Sequence, residues 1–501
     1  MYDLLFMKGV RACFIDSTPR NAHSLKMLEK QIPISNHETP RAVFPRAGVD
    51  FCQDSAMHLS RPSRRQFLKT AVTAAAAPLI LPNFLSAASP NGKLNHAAVG
   101  VDGQGWSDLS NIASHQDVNV TAICDVDTAR MAKAAEKFPD ARKYQDWREM
   151  LDKEGDKIDS VQVSTPDNMH APIALAAMKS GKHIYCEKPL AHEVTEARAM
   201  AKAAVKAGVV TQMGNQIQST IEYRSAVILI QQGVIGKIKE VHAWAGATFP
   251  REGRPAGADP IPATLDWDKW LGVAPERPFK NGIYHPFNWR AWQDFGTGPI
   301  GDFMCHIMDS PFKALELGAP TSVKATSVPE EWASREAWNS ENWPAWATYE
   351  YNYPGTKWTA GDSIVVRWYD GGKKPARELF GFENPERKAP GGGSLFIGEG
   401  GNLLLPHVGG PQLVPYSKNK GLKRPKLEGR SHYHSFVDAC LDRGKTTSHF
   451  GFAGPLTEAT CLGNIANRHH GKELEWNSAK MKITNNRDAN KQVKRKWRKF
   501  A

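Results

Sequence analysis

The sequence has few cysteines and no apolar run long enough to cross a membrane. Only seven of its 501 residues are cysteines, and their scattered spacing argues against a domain held together by disulfide bonds. The alanine-rich apolar stretch from Thr70 to Leu85 contains Pro78 and Pro82 and is too short for a stable transmembrane helix. No cluster of histidine, cysteine and carboxylate residues has the spacing of a metal site. A disulfide-rich scaffold, a stable membrane span and a metal centre are therefore not expected.

The composition is typical of a globular enzyme, with 41% hydrophobic and 23% charged residues. The formal net charge of +12 is compatible with nucleic acid binding, but the charge is spread along the chain. One concentrated basic run, Lys494–Lys499, is not accompanied by any nucleic-acid-binding signature. We therefore interpret residues 481–501 as a solvated basic tail and expect no nucleic acid partner.

The N-terminal region contains an export signal. Residues Ser63–Lys69 read S-R-R-Q-F-L-K, which is typical of a twin-arginine signal, and an apolar segment with small residues at its end follows. Because such a signal normally begins close to the initiator methionine, Met57 is the better placed start. We predict a signal peptide over residues 57–88 and interpret residues 1–56 as a misassigned start or a disordered leader. The mature protein is expected to begin near Ser89 and to reach the periplasm through the twin-arginine export machinery.

The first half of the mature protein has the pattern of a nucleotide-binding fold. Asn95–Val99 is a predicted buried strand that is followed by a glycine-rich turn and a predicted helix, and Val118–Ile123 is the next strand. Farther along, Ser160–Val163 and Gly208–Gln212 are apolar runs separated from their neighbours by helix-length segments. Short strands that alternate with helices predict a doubly wound parallel sheet over residues 95–216.

The glycine-rich turn is a candidate site for a dinucleotide. Gly100, Gly103 and Gly105 would allow the backbone and the helix N-terminus to approach a pyrophosphate. Asp125, at the end of the second strand, has the position of the acidic residue that binds the adenosine ribose hydroxyls. A carboxylate there repels a 2′-phosphate, so the expected cofactor is NAD rather than NADP. Asp102 occupies the position of the usual second glycine, and such a turn is a weak signal by itself.

A lysine closes another apolar run. Glu187-Lys188-Pro189 follows directly after His183–Cys186. Burying an ammonium group is costly unless it is paired, and the proline keeps the preceding residue extended, so the lysine side chain is aimed in one direction. The tripeptide alone fits a surface lysine as well as a functional one.

The second half of the chain contains a candidate acid–base pair. Asp302 and His306 are four residues apart and would share one helical face, and Asp309 could hydrogen-bond the same imidazole. A neutral histidine oriented by a carboxylate is suited to removing a proton from an alcohol. The alternative is a capping aspartate beside an ordinary buried histidine. Arg290 and Trp292, in the glycine- and tryptophan-rich loop before this pair, are candidate substrate contacts.

These motifs together resemble those of the Gfo/Idh/MocA oxidoreductases, and most of all the branch exported by the twin-arginine route. The resemblance covers residues 95–216 and extends through Ser431–Phe436 and Pro455–Glu458. It implies an α/β protein in which an N-terminal Rossmann domain precedes a C-terminal α+β domain over residues 217–480. That domain would contain a large open sheet, mostly antiparallel, whose outer face makes a homodimer or homotetramer. The predicted strands of this sheet are Lys239–Ala245, Thr321–Ser327, Ala347–Tyr353, Ser363–Trp368 and Ser394–Ile397.

The resemblance also implies roles for individual residues. Lys188 would lie beside the nicotinamide and the reacting hydroxyl, while Asp302 and His306 would face the substrate from the second domain. Besides the turn glycines and Asp125, the residues implied to bind or shape the cofactor site are Thr165, Pro166, Glu187 and Lys188.

The expected reaction is hydride transfer between a secondary hydroxyl of a sugar or polyol and a nicotinamide cofactor. His306 would accept the hydroxyl proton, Asp302 would orient that histidine, and Lys188 would stabilise the developing alkoxide. Because free NAD is not expected to be abundant outside the cytoplasm, the cofactor is expected to be tightly bound and reset in place. Two alternatives remain open: an NAD-dependent, redox-neutral glycosidase and a non-catalytic sugar-binding relative.

Overall fold

The computed structural model describes residues 92–249, 253–334 and 341–501 of the chain. The predicted signal peptide over residues 57–88 and the predicted leader over residues 1–56 lie outside the described residues, and both stay predictions.

Six strands in the described part of the chain form the sheet of the first domain. They are β1 (Leu94–Val99), β2 (Val118–Cys124), β3 (Arg142–Tyr144), β4 (Ser160–Val163), β5 (His183–Cys186) and β6 (Thr211–Met213). All pair in parallel, in the order β3-β2-β1-β4-β5-β6. Every residue of β4 and β5 is buried, including the polar Ser160, Gln162 and His183, as expected for central strands of a parallel sheet covered on both faces. The predicted doubly wound parallel sheet is confirmed, and its strand order reverses beside β1, where such folds bind nucleotides.

Six α-helices lie between Leu94 and Gln231 in the described chain, and the last of them packs on the helix Asp309–Leu315 of the second half. They are α1 (Gln104–Ala113), α2 (Thr128–Lys137), α3 (Trp147–Glu154), α4 (His170–Lys179), α5 (Val194–Ala207) and α6 (Ile221–Gln231). Asp127 caps α2, because its side chain accepts a hydrogen bond from the backbone N–H of Ala129. Gly208 ends α5 in the left-handed conformation, with φ of 65°. The strand predicted from Gly208 therefore begins only at Thr211.

Nine strands of the described chain form the sheet of the second domain. They are β7 (Ile238–Trp244), β8 (Ser322–Ser327), β9 (Thr348–Pro354), β10 (Ser363–Tyr369), β11 (Gly393–Gly398), β12 (Asn402–Pro406), β13 (Gln412–Val414), β14 (Leu474–Asn477) and β15 (Lys482–Ile483). Their order is β13-β12-β11-β7-β10-β9-β8-β14-β15. Only β7 and β10 pair in parallel among these strands, so the predicted mostly antiparallel sheet is confirmed.

Two helices of the second half pack on the nucleotide-binding domain. The helices of this half, as far as it is described, are α7 (Trp267–Leu271), α8 (Gly298–Ile307), α9 (Asp309–Leu315), α10 (Glu330–Ala333), α11 (His432–Cys440), α12 (Phe450–Arg468) and α13 (Arg487–Lys491). Helix α12 contacts both α5 of the first domain and α8 of the second, and α11 packs on α1. This shared packing holds α8 next to the carboxyl ends of the parallel strands.

The basic C-terminal residues are packed against the protein. Arg495 pairs with Glu196 at 3.1 Å, and Arg498 pairs with Asp268 at 2.5 Å. The same region also contributes β15 and α13. The interpretation of residues 481–501 as a solvated tail is therefore wrong, because these charges have fixed partners on the folded domains.

Five cysteines lie in the described part of the chain, and each is buried with a free thiol. They are Cys124, Cys186, Cys305, Cys440 and Cys461. Among the described helices, none combines the length and the apolar character needed to cross a bilayer. The described residues also contain no group of three or more histidine, cysteine or carboxylate side chains that could hold a metal ion.

Candidate active site

The glycine-rich turn between β1 and α1 leaves no room for side chains at two positions. A Cβ on Gly100 would overlap the backbone carbonyl of Ser164, and a Cβ on Gly105 would overlap the carbonyl of Gly100. Gly103 has open space around it but adopts φ of 57° and ψ of −119°, which other residues rarely do. The turn brings its backbone and the first residues of α1 to the edge of a cleft, as a bound pyrophosphate requires.

Asp102, at the position of the usual second glycine, is an ion-paired residue. Its carboxylate binds the guanidinium of Arg130 on α2. Both side chains line the cleft. A negative charge that would otherwise repel a pyrophosphate is therefore compensated by a cation on the neighbouring helix.

Asp125 lies at the end of β2, beside the same cleft. Its carboxylate accepts hydrogen bonds from the backbone N–H of Val101 at 3.1 Å and of Asp127 at 3.0 Å. Burial nevertheless raises the pKa of Asp125 to about 6. The position agrees with the predicted ribose-binding role, since hydroxyl donors from a ribose would stabilise the charged form.

Lys188 lies at the end of β5, and its ammonium group reaches across the cleft to α8. Nζ donates to Oδ1 of Asp302 at 2.5 Å and to the backbone oxygen of the same residue at 2.9 Å. Burial alone would lower the pKa of Lys188, but the carboxylates of Asp302 and Glu187 raise it above its usual value. Lys188 is therefore a fixed cation rather than a surface residue.

Asp302 binds Lys188 and Arg290, not His306. Its Oδ1 also accepts a hydrogen bond from Nε of Arg290 at 3.4 Å. Burial acts to raise the Asp302 pKa, but Lys188 and Arg290 hold it well below its usual range. Helix α8 begins at Gly298, so Asp302 lies inside the helix and does not cap it. The predicted role of Asp302 in orienting the histidine needs correction, because its hydrogen bonds in the described structure go to the two cations.

His306 lies one helical turn after Asp302. Its ring lies 6.4 Å from the ring of Phe303 and 6.2 Å from that of His407, measured between centroids. Burial, Lys188 and His407 together lower the pKa of His306 well below its usual value. The imidazole is therefore neutral near pH 7 and able to accept a proton.

A second histidine beside His306 was not predicted. His407 follows β12, and its Nδ1 lies 3.0 Å from the hydroxyl of Tyr223 on α6. Burial lowers the pKa of His407 to about 4, so this ring is also neutral. No sequence motif surrounds His407, and only the pairing of β12 with β11 brings it to the site.

Two of the predicted substrate residues lie away from the cleft. Trp292 is 1% exposed and donates from Nε1 to the backbone of Ile283 at 3.0 Å. Asp309 is also 1% exposed, and its Oδ2 accepts from Asn215 and from Gln218, both at 2.6 Å. Both predictions are wrong for the same reason, since each side chain is satisfied inside the protein.

Nine of the predicted site residues border one cleft of about 410 Å³, formed between the two domains, whereas Asp302 and His306 lie behind its lining. Arg290 lies across the rings of Phe287 and Trp289, with its guanidinium carbon 4.4 Å and 4.3 Å from their centroids. The cleft-lining residues that were predicted from the sequence are Gly100, Gly103, Gly105, Asp125, Thr165, Pro166, Glu187, Lys188 and Arg290.

Buried contacts shape the turn that carries Lys188. The two ring nitrogens of His170 lie 2.8 Å from the carbonyl oxygen of Pro189 and 2.9 Å from that of Thr165. Glu187 accepts from Nε2 of Gln216 at 3.0 Å, and burial next to Asp108 raises the Glu187 pKa well above its usual value. The loops after β4 and β5 are thereby tied to each other, which fixes the direction of Lys188.

Two family models match the chain. Residues 94–215 match the model described as oxidoreductase family, NAD-binding Rossmann fold, and residues 241–340 match the oxidoreductase family, C-terminal alpha/beta domain.

Curated relatives include sugar and inositol dehydrogenases. Levoglucosan dehydrogenase from Pseudarthrobacter phenanthrenivorans is 29% identical over 42% of this chain and 46% of its own length. Myo-inositol 2-dehydrogenase from Thermotoga maritima is 27% identical over 35% of this chain and 48% of its own length. A glycosyl hydrolase family 109 protein from Stenotrophomonas maltophilia is 28% identical over 45% of this chain and 48% of its own length. The chain thus spans about half the length of the curated relatives it matches.

Solved structures share the fold over most of the described chain. The WlbA dehydrogenase from Bordetella pertussis, in complex with NADH and UDP-GlcNAcA, superposes with a TM-score of 0.54 and 15% identity, covering 77% of this chain and 99% of that one. Levoglucosan dehydrogenase in complex with NADH and levoglucosan gives a TM-score of 0.51 at 18% identity, covering 76% and 99%. At these identities the matches show a common fold.

Proposed function

We propose that this chain is a member of the Gfo/Idh/MocA oxidoreductase family and an NAD-dependent dehydrogenase acting on a secondary hydroxyl of a sugar or polyol. The observation that carries the proposal is the ion pair between Lys188 and Asp302 across the cleft, with His306 one turn along the same helix. A cation fixed beside the nucleotide turn and a neutral imidazole one helical turn beyond its carboxylate partner suit the deprotonation of an alcohol.

The residues around the cleft fit a dinucleotide. Gly100 and Gly105 form a cradle that any Cβ would fill, and Gly103 has the backbone conformation that the turn needs. These residues and the start of α1 would hold the pyrophosphate, while Asp125 would hold the adenosine ribose. Bound NAD supplies the redox chemistry, since its nicotinamide exchanges two electrons and a hydrogen with a carbinol carbon.

Residues of the chain itself carry the proton transfer and the stabilisation of charge. Lys188 donates a hydrogen bond to the reacting oxygen and stabilises the negative charge that develops there. His306 takes the hydroxyl proton, which its lowered pKa permits near neutral pH. Asp302, held between Lys188 and Arg290, keeps the lysine charged and aimed. The lysine is therefore the residue that the carboxylate positions.

The sugar or polyol substrate class rests on the relatives. Two of the curated dehydrogenases that match the chain are named for levoglucosan and for myo-inositol, which are both cyclic compounds with several hydroxyls. To test the proposal, the purified protein is denatured and the released nucleotide is identified by mass spectrometry. A panel of sugars and polyols is then added to the native protein, and reduction of the bound nucleotide is followed by its fluorescence.

We expect NAD to be released and at least one member of the panel to reduce the bound nucleotide. A protein that carries no nucleotide and binds none by calorimetry would contradict the proposal and favour a non-catalytic sugar-binding relative. The fixed Lys188–Asp302 pair argues against that alternative, because sugar binding alone does not need a buried cation aimed at a nucleotide site.

A redox-neutral glycosidase is the second candidate, favoured by the match to the glycosyl hydrolase family 109 protein. Transient oxidation of a ring hydroxyl acidifies the neighbouring C–H bond, which permits elimination of the aglycone before reduction. Lys188 and His306 would serve both reactions. Incubation with aryl glycosides and no added NAD separates the candidates: phenol release without net NADH supports the glycosidase, whereas keto-sugar with stoichiometric NADH supports the dehydrogenase.

Export to the periplasm by the twin-arginine route is part of the proposal, supported by the S-R-R-Q-F-L-K segment. Replacing Arg64 and Arg65 with lysine should remove the protein from the periplasmic fraction of its native cells, while a wild-type copy remains there. If both proteins fractionate identically, this export route is excluded. The homodimer or homotetramer implied by the family is tested by light scattering of the purified protein.

A further inference from the structure

The connection between β7 and α8 contains an aromatic segment that packs on itself. We call residues 264–295 the aromatic clasp. Trp267 stacks on Trp270 with ring centroids 4.7 Å apart, and Phe295 packs edge-on against both Trp270 and Tyr284. The clasp therefore has its own hydrophobic core, distinct from those of the two sheets. Its buried members are Leu265, Trp267, Trp270, Leu271, Ala274, Phe279, Tyr284, Trp289, Ala291, Trp292 and Phe295.

The clasp lies on the turn between β2 and α2. The backbone N–H of Asp266 donates to the carbonyl of Val126, and the N–H of Thr128 donates to the carbonyl of Thr264, both at 2.9 Å. This turn follows Asp125, the expected ribose-binding residue. The clasp is therefore attached to the nucleotide-binding domain at the adenosine end of the cleft.

His285 of the clasp makes a directed contact at this end. Trp270 donates from Nε1 to Nδ1 of His285 at 3.0 Å. Since an indole N–H can only donate, Nδ1 is the acceptor and the ring proton is on Nε2, which donates to Oδ2 of Asp127 at 3.0 Å. His285 and Trp270 line the cleft together with Asp125 and Arg130. One wall of the adenosine end thus comes from the clasp.

The last residues of the chain fasten the clasp to the nucleotide-binding domain. We call residues 495–501 the C-terminal strap. Arg498 pairs with Asp268 of the clasp at 2.5 Å, and its Nε donates to two backbone carbonyls of the clasp at 3.1 and 2.9 Å. On the other side, Arg495 pairs with Glu196 on α5, and Arg148 on α3 donates to the carbonyl of Phe500 at 3.1 Å. The strap therefore bridges the clasp and two helices of the first domain.

We propose that the aromatic clasp is a binding element for the adenosine half of the nicotinamide cofactor, and that the C-terminal strap holds it closed so that the cofactor stays bound through successive turnovers. The inference rests on the proposed function for the identity of the cofactor. A nucleotide seated between Asp125 and His285 can leave past the clasp only if the backbone bonds to the β2–α2 turn break. The strap opposes that opening with charged contacts that are partly shielded from water.

The test measures how fast bound NAD exchanges with isotopically labelled NAD in the full-length protein. Arg498→Gln removes the charged contact between strap and clasp, and Lys496→Gln is the matched control. The Lys496→Gln substitution removes the same charge from the same segment, but the Lys496 side chain is exposed in the wild type. His285→Gln is made in parallel because it changes the clasp's contacts with Asp127 and Trp270 and leaves the contacts of the strap in place.

We expect slow exchange in the wild type and in Lys496→Gln, and exchange faster by about tenfold or more in Arg498→Gln and in His285→Gln. Equal exchange rates in all four proteins would overturn the proposed role of the clasp and strap in cofactor retention, while leaving the dehydrogenase proposal intact. A wild-type protein that binds no NAD would instead overturn the proposed function itself. If Arg498→Gln fails to fold, His285→Gln against the control decides the question.

Discussion

Lys188 keeps its charge because two carboxylates compensate for its burial. Its side chain is 12% exposed, and that of Asp302 is 17% exposed, so water screens the pair only partly. Arg290 adds a second cation at 3.4 Å from the same carboxylate oxygen. The three residues form a cation–carboxylate–cation row, and both of its cations line the cleft. Changes to any one of them should affect both catalysis and stability.

The Lys188→Met variant should lose catalysis and part of its stability. Loss of the donor to the developing alkoxide should lower kcat by about 10²–10³-fold. Loss of one partner of a largely buried ion pair costs up to about 3–5 kcal/mol in the free energy of unfolding. Steady-state kinetics and urea unfolding measure the two effects. The double variant Lys188→Met/Asp302→Asn should unfold at higher urea than the single variant, and a double variant that is less stable would contradict the pairing.

The pH dependence of kcat/KM should report the pKa of His306 in the free enzyme. A histidine that acts as a base must be neutral, so activity falls as the pH drops through its pKa in the free enzyme. Because burial, Lys188 and His407 lower that pKa, the acidic limb should lie below the usual value of about 6.5. His306→Gln should lower kcat by about 10²–10⁴-fold. His434→Gln, on α11 beside Ser114, is the control and should leave the profile unchanged.

At the scale of single elements, the turn from β1 to α1 is the most constrained segment of the site. Gly105→Ala should weaken NAD binding by at least about tenfold, because the new Cβ would overlap the carbonyl of Gly100 and force the turn open. Gly155→Ala is the matched control, since Gly155 has helical φ and ψ of −46° and −43° and open space around it. The control should bind NAD normally and unfold at the same or slightly higher urea. Calorimetry measures the affinity for NAD, and urea unfolding measures the stability of each variant.

The strands that were predicted from the sequence are those with strong apolar runs. β4 and β5 have the predicted bounds, and β7 to β11 differ from the predicted strands by one residue at one or both ends. β12 to β15 were not predicted. β13, β14 and β15 have four residues or fewer and carry little apolar pattern, whereas the apolar run Leu403–Leu405 of β12 is a signal that the prediction missed. The partner of a polar side chain is harder to predict than a strand, since Asp302 binds Lys188, which lies 114 residues away in the sequence.

The C-terminal segment shows that the sequence also does not predict the partners of charged residues. A basic run is usually solvated, and composition cannot show that Arg495 and Arg498 have partners on two different domains. Trp292 was likewise a candidate substrate contact, although aromatic side chains in such loops more often build a local core. Local patterns therefore predicted the elements and the nucleotide turn, while the contacts between elements decided which polar side chains reach the cleft.

At the scale of the whole molecule, buried carboxylic acids should contribute to the pH dependence of stability. Burial raises the pKa of Asp309 to about 7 and that of Asp370 to about 8. Each residue binds a proton more tightly when folded, so its stabilising contribution is complete below about pH 4 and is lost as the pH rises through the folded pKa. These two residues therefore favour the folded state more at about pH 5 than at about pH 8, whereas the lowered pKa values of His306 and His407 act in the opposite direction.

Asp370→Asn should flatten this dependence, because an amide does not ionise but can still accept the hydrogen bond from Nε1 of Trp368. Asp152→Asn, at an exposed position of α3, is the control and should keep the wild-type slope. The stability of Asp370→Asn relative to the wild type should therefore rise between about pH 5 and about pH 8. A difference in the free energy of unfolding that stays constant over this range would contradict the assignment.

The buried free thiols have a practical consequence for measuring how the protein opens. Burial raises the pKa of Cys124, Cys186, Cys305, Cys440 and Cys461, so in the folded state these side chains are both protonated and shielded. An alkylating reagent attacks the thiolate, and it reaches these five sulfur atoms only when the surrounding segment opens. Peptide mapping after timed alkylation would therefore report separate opening rates for the nucleotide-binding sheet, through Cys124 and Cys186, and for helices α8 and α12, through Cys305 and Cys461.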